Sequence, residues 1–189
     1  MADNRYYHGL SNVHYSVVTE AIDSTTGEVE TTYGTVKAWK GAVGISFDSE
    51  ASLDNFFADN GVYAVTSKNS GYTGSLEIAQ IPDDVYISVY GQTKSTDGLM
   101  TETDKDVKKY IALMFEFAAD AQARRVVFYK VALSLPTVEG NTDEDTIEVQ
   151  TRTLDLTAVP RPDDGKIKAF TTVDATAYAT FYNAVPVAA

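Results

Sequence analysis

The stretch from Val107 to Pro136 constrains the fold most strongly, because it holds two apolar segments joined only by the short polar connector Ala118-Ala119-Asp120-Ala121-Gln122. In the first segment Ile111, Leu113, Phe115 and Phe117 alternate with Ala112, Met114 and Glu116. The second, Arg125 to Val131, is dense in β-branched and aromatic residues, the composition of a strand. Tyr110, Leu113, Met114 and Phe117 also fit the i, i+3, i+4, i+7 stripe of a helix, and Lys, Ala, Leu and Met are good helix formers. The β character of the second arm and the direct antiparallel return allowed by so short a connector favour strands. The expected element is the central antiparallel hairpin of a β-sheet.

Other segments extend this pattern. Asn12 to Ile22 reads as a strand that turns at Asp23-Ser24-Thr25-Thr26-Gly27 into a looser partner, Glu28 to Trp39, broken by Gly34. Val43, Ile45 and Phe47 alternate with Gly44 and Ser46, which predicts a strand with one face buried. From Asp48 to Gly71 the chain is acidic and punctuated by glycine, and Asn60-Gly61 predicts a tight turn between two short strands. Leu53, Phe56, Phe57, Val62, Tyr63 and Val65 make this region too apolar for a solvated loop. It must fold back onto the core or meet another chain.

Tyr72, Gly74, Leu76 and Ile78 mark a further strand. Pro82-Asp83-Asp84 then favours a helix start, because proline needs no N–H there and the carboxylates suit the positive end of the dipole. A short helix to about Tyr90, closed by Gly91, is expected. Asp97-Gly98 predicts a turn. Ile147, Val149, Thr151 and Thr153 alternate in one phase and Leu154, Leu156 and Ala158 in the other, so a bulge or bend is expected between them. The turn Pro160 to Gly165 precedes a short strand at Ile167, Ala169 and Thr171, and Asp174 to Tyr182 predicts a short C-terminal helix. The fold class expected is mainly β, a β-sandwich or partly open barrel with one short flanking helix.

A chain of 189 residues is most economically one domain, spanning 1–189, and no linker composition divides it. No apolar run approaches the roughly 18 to 20 residues that cross a bilayer, and Met1 to Arg5 leads into no signal-peptide core, so cytoplasmic synthesis and no membrane partner are expected. The absence of cysteine removes disulfides, thiolate nucleophiles and thiolate metal sites. A net charge of −12 opposes electrostatic capture of nucleic acid, which depends on Lys and Arg displacing counterions from phosphates. The same charge also serves plain solubility.

Chemistry-bearing motifs are lacking. His8 and His14 are the only histidines and form no HExxH pair. Asn141, Asp143 and Asp145 alternate like calcium ligands, but the central glycine and terminal acid of such a loop are missing, and a solvated acidic tip is the simpler reading. No GxSxG, phosphate-binding GK[ST] or GxGxxG is present. No catalytic, metal or cofactor-binding residue is assigned, and no enzyme is expected. The 12 tyrosines suit either sheet faces or contacts with sugar or protein. Tyr6-Tyr7 and Tyr178, Phe181 and Tyr182, near the two ends, are candidates for contacts beyond the domain.

Several stretches, in order, resemble the major tail protein family of long, flexible, non-contractile bacteriophage tails, especially from phages of Gram-positive hosts. They are Gly9 to Tyr15, Phe57 to Gly61, Gly71 to Ala79 with Ile81 to Asp84, Ala112 to Phe117, and Thr151 to Pro162. The resemblance implies a β-sandwich tail-tube subunit with a flanking helix, forming hexameric rings that stack into a tube assembled in the host cytoplasm and carried in the virion. It further implies neighbours such as the tape measure, tail terminator and distal tail proteins, and DNA passing through without specific binding. An acidic wall would suit such a conduit, since a cationic one would hold DNA by many phosphate contacts. The resemblance carries over no catalytic residues.

Rings would use exposed sheet edges and stacking would use projecting segments. The candidate subunit-interface residues are Tyr33, Trp39, Leu53, Phe56, Phe57, Tyr63 and Tyr182, together with the terminal arms. The alternative function is a monomeric β-sandwich module binding carbohydrate on the virion surface through a tyrosine platform.

Overall fold

The computed structural model describes residues 9–58, 60–118, 120, 122–140, 142 and 150–187. Its elements in chain order are β1 (Leu10–Ile22), β2 (Val29–Tyr33), β3 (Lys37–Ala38), β4 (Ala42–Ala58), β5 (Gly61–Ile78), α1 (Asp83–Ser88), β6 (Thr93–Lys94), β7 (Met100–Thr101), β8 (Ile111–Phe117), β9 (Arg125–Leu133), β10 (Arg152–Ala158) and β11 (Lys168–Thr171). Among the described residues nine strands form one antiparallel sheet in the order β2-β1-β8-β9-β10-β5-β4, with β3 against β1 and β11 against β9. The β6–β7 pair makes a small separate hairpin around Asp97-Gly98.

The hairpin expected from Val107 to Pro136 is β8–β9, at the middle of the strand order. Both faces of it are covered, and Ile111 to Phe115 are all buried. That double burial explains the ambiguous first arm: a strand dry on both sides has no need to alternate, so its sequence also fits a helical stripe.

The sheet is open and strongly curled. Phe47 of β4 stacks on Phe128 of β9 with ring centroids 3.9 Å apart, although β10 and β5 lie between those strands in the sheet. In a flat sheet three strand spacings would separate the two backbones by about 14 Å. The curl encloses Val13, Tyr15, Leu76, Leu113, Phe128, Val131 and Leu156 among others, and α1 closes the cluster with Val85. On the opposite face of the central hairpin Met114, Val127 and Tyr129 are covered by Phe181 and the half-buried Tyr182 and Val185. The mainly β class with a short flanking helix is thus observed as a single open sheet.

Four details depart from expectation. The expected pair of short strands between Asp48 and Gly71 is instead the continuous outer part of β4 and β5, which run for 17 and 18 residues. Val43 does not share the half-buried face of Ile45 and Phe47, because the register shifts between Ala42 and Gly44 and leaves it exposed. The helix covers only Asp83–Ser88, with Pro82 as its extended N-cap; Gly91 follows at φ 79°. The C-terminal helix expected from Asp174 to Tyr182 is reduced to a 3-10 turn at Thr176–Tyr178. There Ala175 occupies the cap without a side-chain acceptor, and Phe181 is held against the sheet.

The 152–158 half of the phase change is β10, paired on both sides; Ile147 and Val149 lie outside the described residues. So do Tyr6, Tyr7, His8, Asn141, Asp143 and Asp145. Among the described residues no helix is long and apolar enough to cross a membrane.

Candidate assembly surface

The β4–β5 pair outgrows the sheet. Strand β10 accompanies β5 only from Tyr72 to Ile78, whereas β4 and β5 continue paired from Ala51↔Asn69 to Ala58↔Gly61. The result is a two-stranded arm of eight residues on one side and nine on the other, reaching about 30 Å at strand rise. A register shift marks its base, between the pairs Ser49↔Tyr72 and Ala51↔Asn69. There Gly71 adopts φ 144°, and a Cβ on it would overlap the carbonyl oxygen of Ala158. Glycine is needed at this bulge both for its backbone angle and for the close passage of β10. At the tip Asn60 takes φ 62°, the left-handed conformation that asparagine tolerates in tight turns.

The arm does not fold back onto the core. Leu53, Phe56, Phe57 and Tyr63 are 71%, 60%, 65% and 73% exposed, and Val62 and Val65 are exposed beside them. Phe56 and Tyr63 meet only edge to face, with centroids 6.3 Å apart. A two-stranded ribbon is marginal in water unless another surface covers it, and contiguous exposed apolar residues of this kind mark interaction sites. Strand β4 is also an end strand of the sheet order, with β2 at the other end.

The remaining candidates lie elsewhere. Trp39 is only 1% exposed: its indole packs edge-on to Tyr15 and donates to the Gln80 carbonyl at 3.3 Å. It is a core residue of its own chain, and the expectation that it projects is corrected. An amphipathic ring next to a glycine-broken strand gave a misleading signal, because β3 folds under β1 and carries the ring inward. Tyr33 and Tyr182 are half-buried against the outer face of the central hairpin. Tyr182 stacks on His14 at 4.4 Å.

Polar groups act as struts. The Tyr15 hydroxyl donates to Asp84 at 2.5 Å, and Lys37 pairs with the same carboxylate at 2.7 Å. Lys37 first and Tyr15 second hold Asp84 below the usual carboxylate range, while burial pushes the Tyr15 hydroxyl up. Arg161 lies under the rings of Tyr33 and Tyr129 and donates to Asp163, which lowers that carboxyl to about 2. Asp84 and Asp163 are thus held by partners within the fold, whereas the buried Arg161 Nη1 and the Tyr33 hydroxyl have no hydrogen-bond partner among the described residues. Tyr15, Tyr90 and Tyr129 are buried, so the tyrosine excess is spent partly on the core. Among the described residues no group of three His, Asp or Glu side chains converges as a metal site.

A family model described as phage tail tube protein matches residues 12–180. The chain belongs to the phage tail tube protein family. It is therefore a structural component of a phage tail, and it is not an enzyme. No curated protein matches it. Among solved structures it is similar to a chain of the anti-feeding prophage baseplate, solved by cryo-EM and 6-fold symmetrised. That likeness has 11% identity and a TM-score of 0.40 over 93% of this chain and 100% of the other, too weak to bear on function.

For this tail tube protein, sequence reasoning found the apolar arm but missed its continuity with the sheet. The signal was present in Ser75, Glu77, Ser46 and Asp48, which keep a strand pattern up to the base. It also missed Arg125, which donates to the Tyr178 carbonyl of the C-terminal tail at 2.6 Å and for which no local pattern exists.

Proposed function

We propose that copies of this protein join through the β4–β5 arm into rings, hexameric in number, which stack as the tube of a long non-contractile siphophage tail and conduct DNA during ejection. The observation that carries the reading is the free-standing arm, whose apolar residues and unpaired edge have no cover among the described residues. Leu53, Phe56, Phe57 and Tyr63 form its contact surface, and Tyr33 and Tyr182 contribute through the outer face of the hairpin. Head-to-tail contacts of one patch with a different patch close into rings or run on as open stacks according to the rotation between copies, and a tube of stacked rings uses both. The net charge of −12 suits a wall that DNA slides past, since phosphate contacts are what would arrest it. The tape measure, tail terminator and distal tail proteins are the neighbours such a tube would meet. The whole chain, 1–189, acts as one domain whose ends serve as arms.

Negative-stain electron microscopy with light scattering on the purified protein at low and high concentration tests this. Rings or tubes with a central channel are expected. A monodisperse monomer at every concentration, with affinity for cell-wall glycan, would transfer the assignment to a surface carbohydrate-binding module.

A further inference from the structure

A cleft of about 300 Å³ opens beside the base of the arm, with Phe117, Val126, Phe128 and Phe170 as its apolar lining. Arg124 and Lys168 also line it, Arg124 ion-paired with the buried Asp120 at 2.6 Å. Phe170 is 67% exposed there. The position of the cleft is fixed by Phe128, which meets Tyr72 edge to face at 5.4 Å and Phe47 in a stack, and by Lys168, whose ammonium lies 4.4 Å from the Tyr72 ring. Tyr72 and Phe47 are where β4 and β5 leave the rest of the sheet.

We propose that this cleft receives the aromatic tip of the β4–β5 arm of a second copy of the chain, with Phe56 or Phe57 as the inserted side chain. The inference rests on the tube reading and adds to it the surface that takes the arm. Three observations support the pairing. The tip offers two adjacent exposed phenylalanines, and the cleft is small, aromatic and partly open, a match for one such side chain rather than for a helix. Asp54 precedes the phenylalanines by two and three residues on the arm, and Lys168 carries the net positive charge of the cleft lining, where Arg124 is already matched by Asp120, so the charges are complementary. Finally, tip and cleft lie at opposite ends of one arm. Each insertion therefore displaces the next copy by about one arm length, about 30 Å, and presents a fresh tip, so the head-to-tail contact repeats from copy to copy.

The chain contains no cysteine, so introduced thiols report only their own pairing. Phe57→Cys and Phe170→Cys are prepared as separate proteins, mixed, polymerised and mildly oxidised, with Tyr63→Cys as a second tip position should Phe57→Cys stay monomeric. All three positions are exposed, so folding is not at stake. A disulfide-linked heterodimer formed in the polymer and absent from mixed monomers is expected. Polymer that forms with neither tip position joined to Phe170→Cys overturns the cleft as the receiving surface and leaves the tube reading standing. Failure of the wild-type protein to polymerise at all contradicts the tube reading, and the cleft assignment with it. Lys168→Glu is further expected to raise the concentration needed for polymerisation about tenfold, with Asp54→Lys in the same chain restoring it; no effect of either charge also counts against the pairing.

Discussion

Arg125 of the central hairpin holds Tyr178 of the C-terminal tail twice: its guanidinium lies 3.7 Å from the centre of the tyrosine ring, and its Nη1 donates to the Tyr178 carbonyl at 2.6 Å. The same side chain donates through Nε to Glu116 at 2.7 Å, within a pair that is largely shielded from solvent. One residue thus couples strand pairing to the cover over the outer face of the hairpin. Arg125→Ala is expected to cost about 3 kcal/mol in urea unfolding, because it leaves Glu116 shielded without its cation. Hydrogen exchange over 176–187 should quicken more than exchange in β8 and β9. Equal quickening everywhere would mean that the tail is not held separately by this contact.

Gly71 sets the direction in which the arm leaves. Gly71→Ala is expected to destabilise the protein by about 2 kcal/mol, since it combines a disfavoured backbone angle with overlap on the Ala158 carbonyl. Gly140→Ala, where a Cβ meets nothing within 4 Å, serves as the control and should lie within about 0.5 kcal/mol of wild type. Thermal or urea melts of the two variants decide the point.

Asp163 makes part of the stability depend on pH. Arg161 lowers its carboxyl from 3.8 to about 2, so the folded state favours the ionised form more than the unfolded chain does. That contribution is fully present above the unfolded value and is lost as pH falls from about 4 towards about 2. The stability difference between wild type and Asp163→Asn should therefore be flat near neutrality, reach at most about 2 kcal/mol from this source, and shrink across the acid window. A difference that stays constant down to pH 2 would show that the ionised carboxylate is not what matters.

Trp39 and Phe56 separate folding from assembly. Trp39→Asp places a charge in the closed interior beside Tyr15 and is expected to abolish the folded state. Phe56→Asp alters an exposed arm residue, so the monomer should keep its melting temperature to within a few degrees while losing polymerisation. Circular dichroism and light scattering on both variants check the contrast.

Much of this was legible in the residues. The β8–β9 hairpin, the turn at Asp23 to Gly27, the helix start at Pro82 and the apolar character of Leu53 to Val65 all rest on local signals. What the chain does not announce is set by distant contacts. Trp39 is carried inward only because β3 pairs with β1. The C-terminal segment gives up a helix because Phe181 and Tyr182 gain more by packing on Met114, Val127 and Tyr129 than a short helix gains alone. The cleft beside Phe128 draws its lining from β8, β9 and β11 and their connections, so no window of sequence contains it.

Hydrogen exchange read by mass spectrometry on monomer and on polymer tests most directly whether the arm is the surface through which copies join. Residues 49–70 should exchange rapidly in the monomer, where no third strand among the described residues pairs with the ribbon, and become strongly protected in the polymer. Polymer in which those residues exchange as fast as in the monomer would contradict the account, and would move the assembly surface to another part of the sheet.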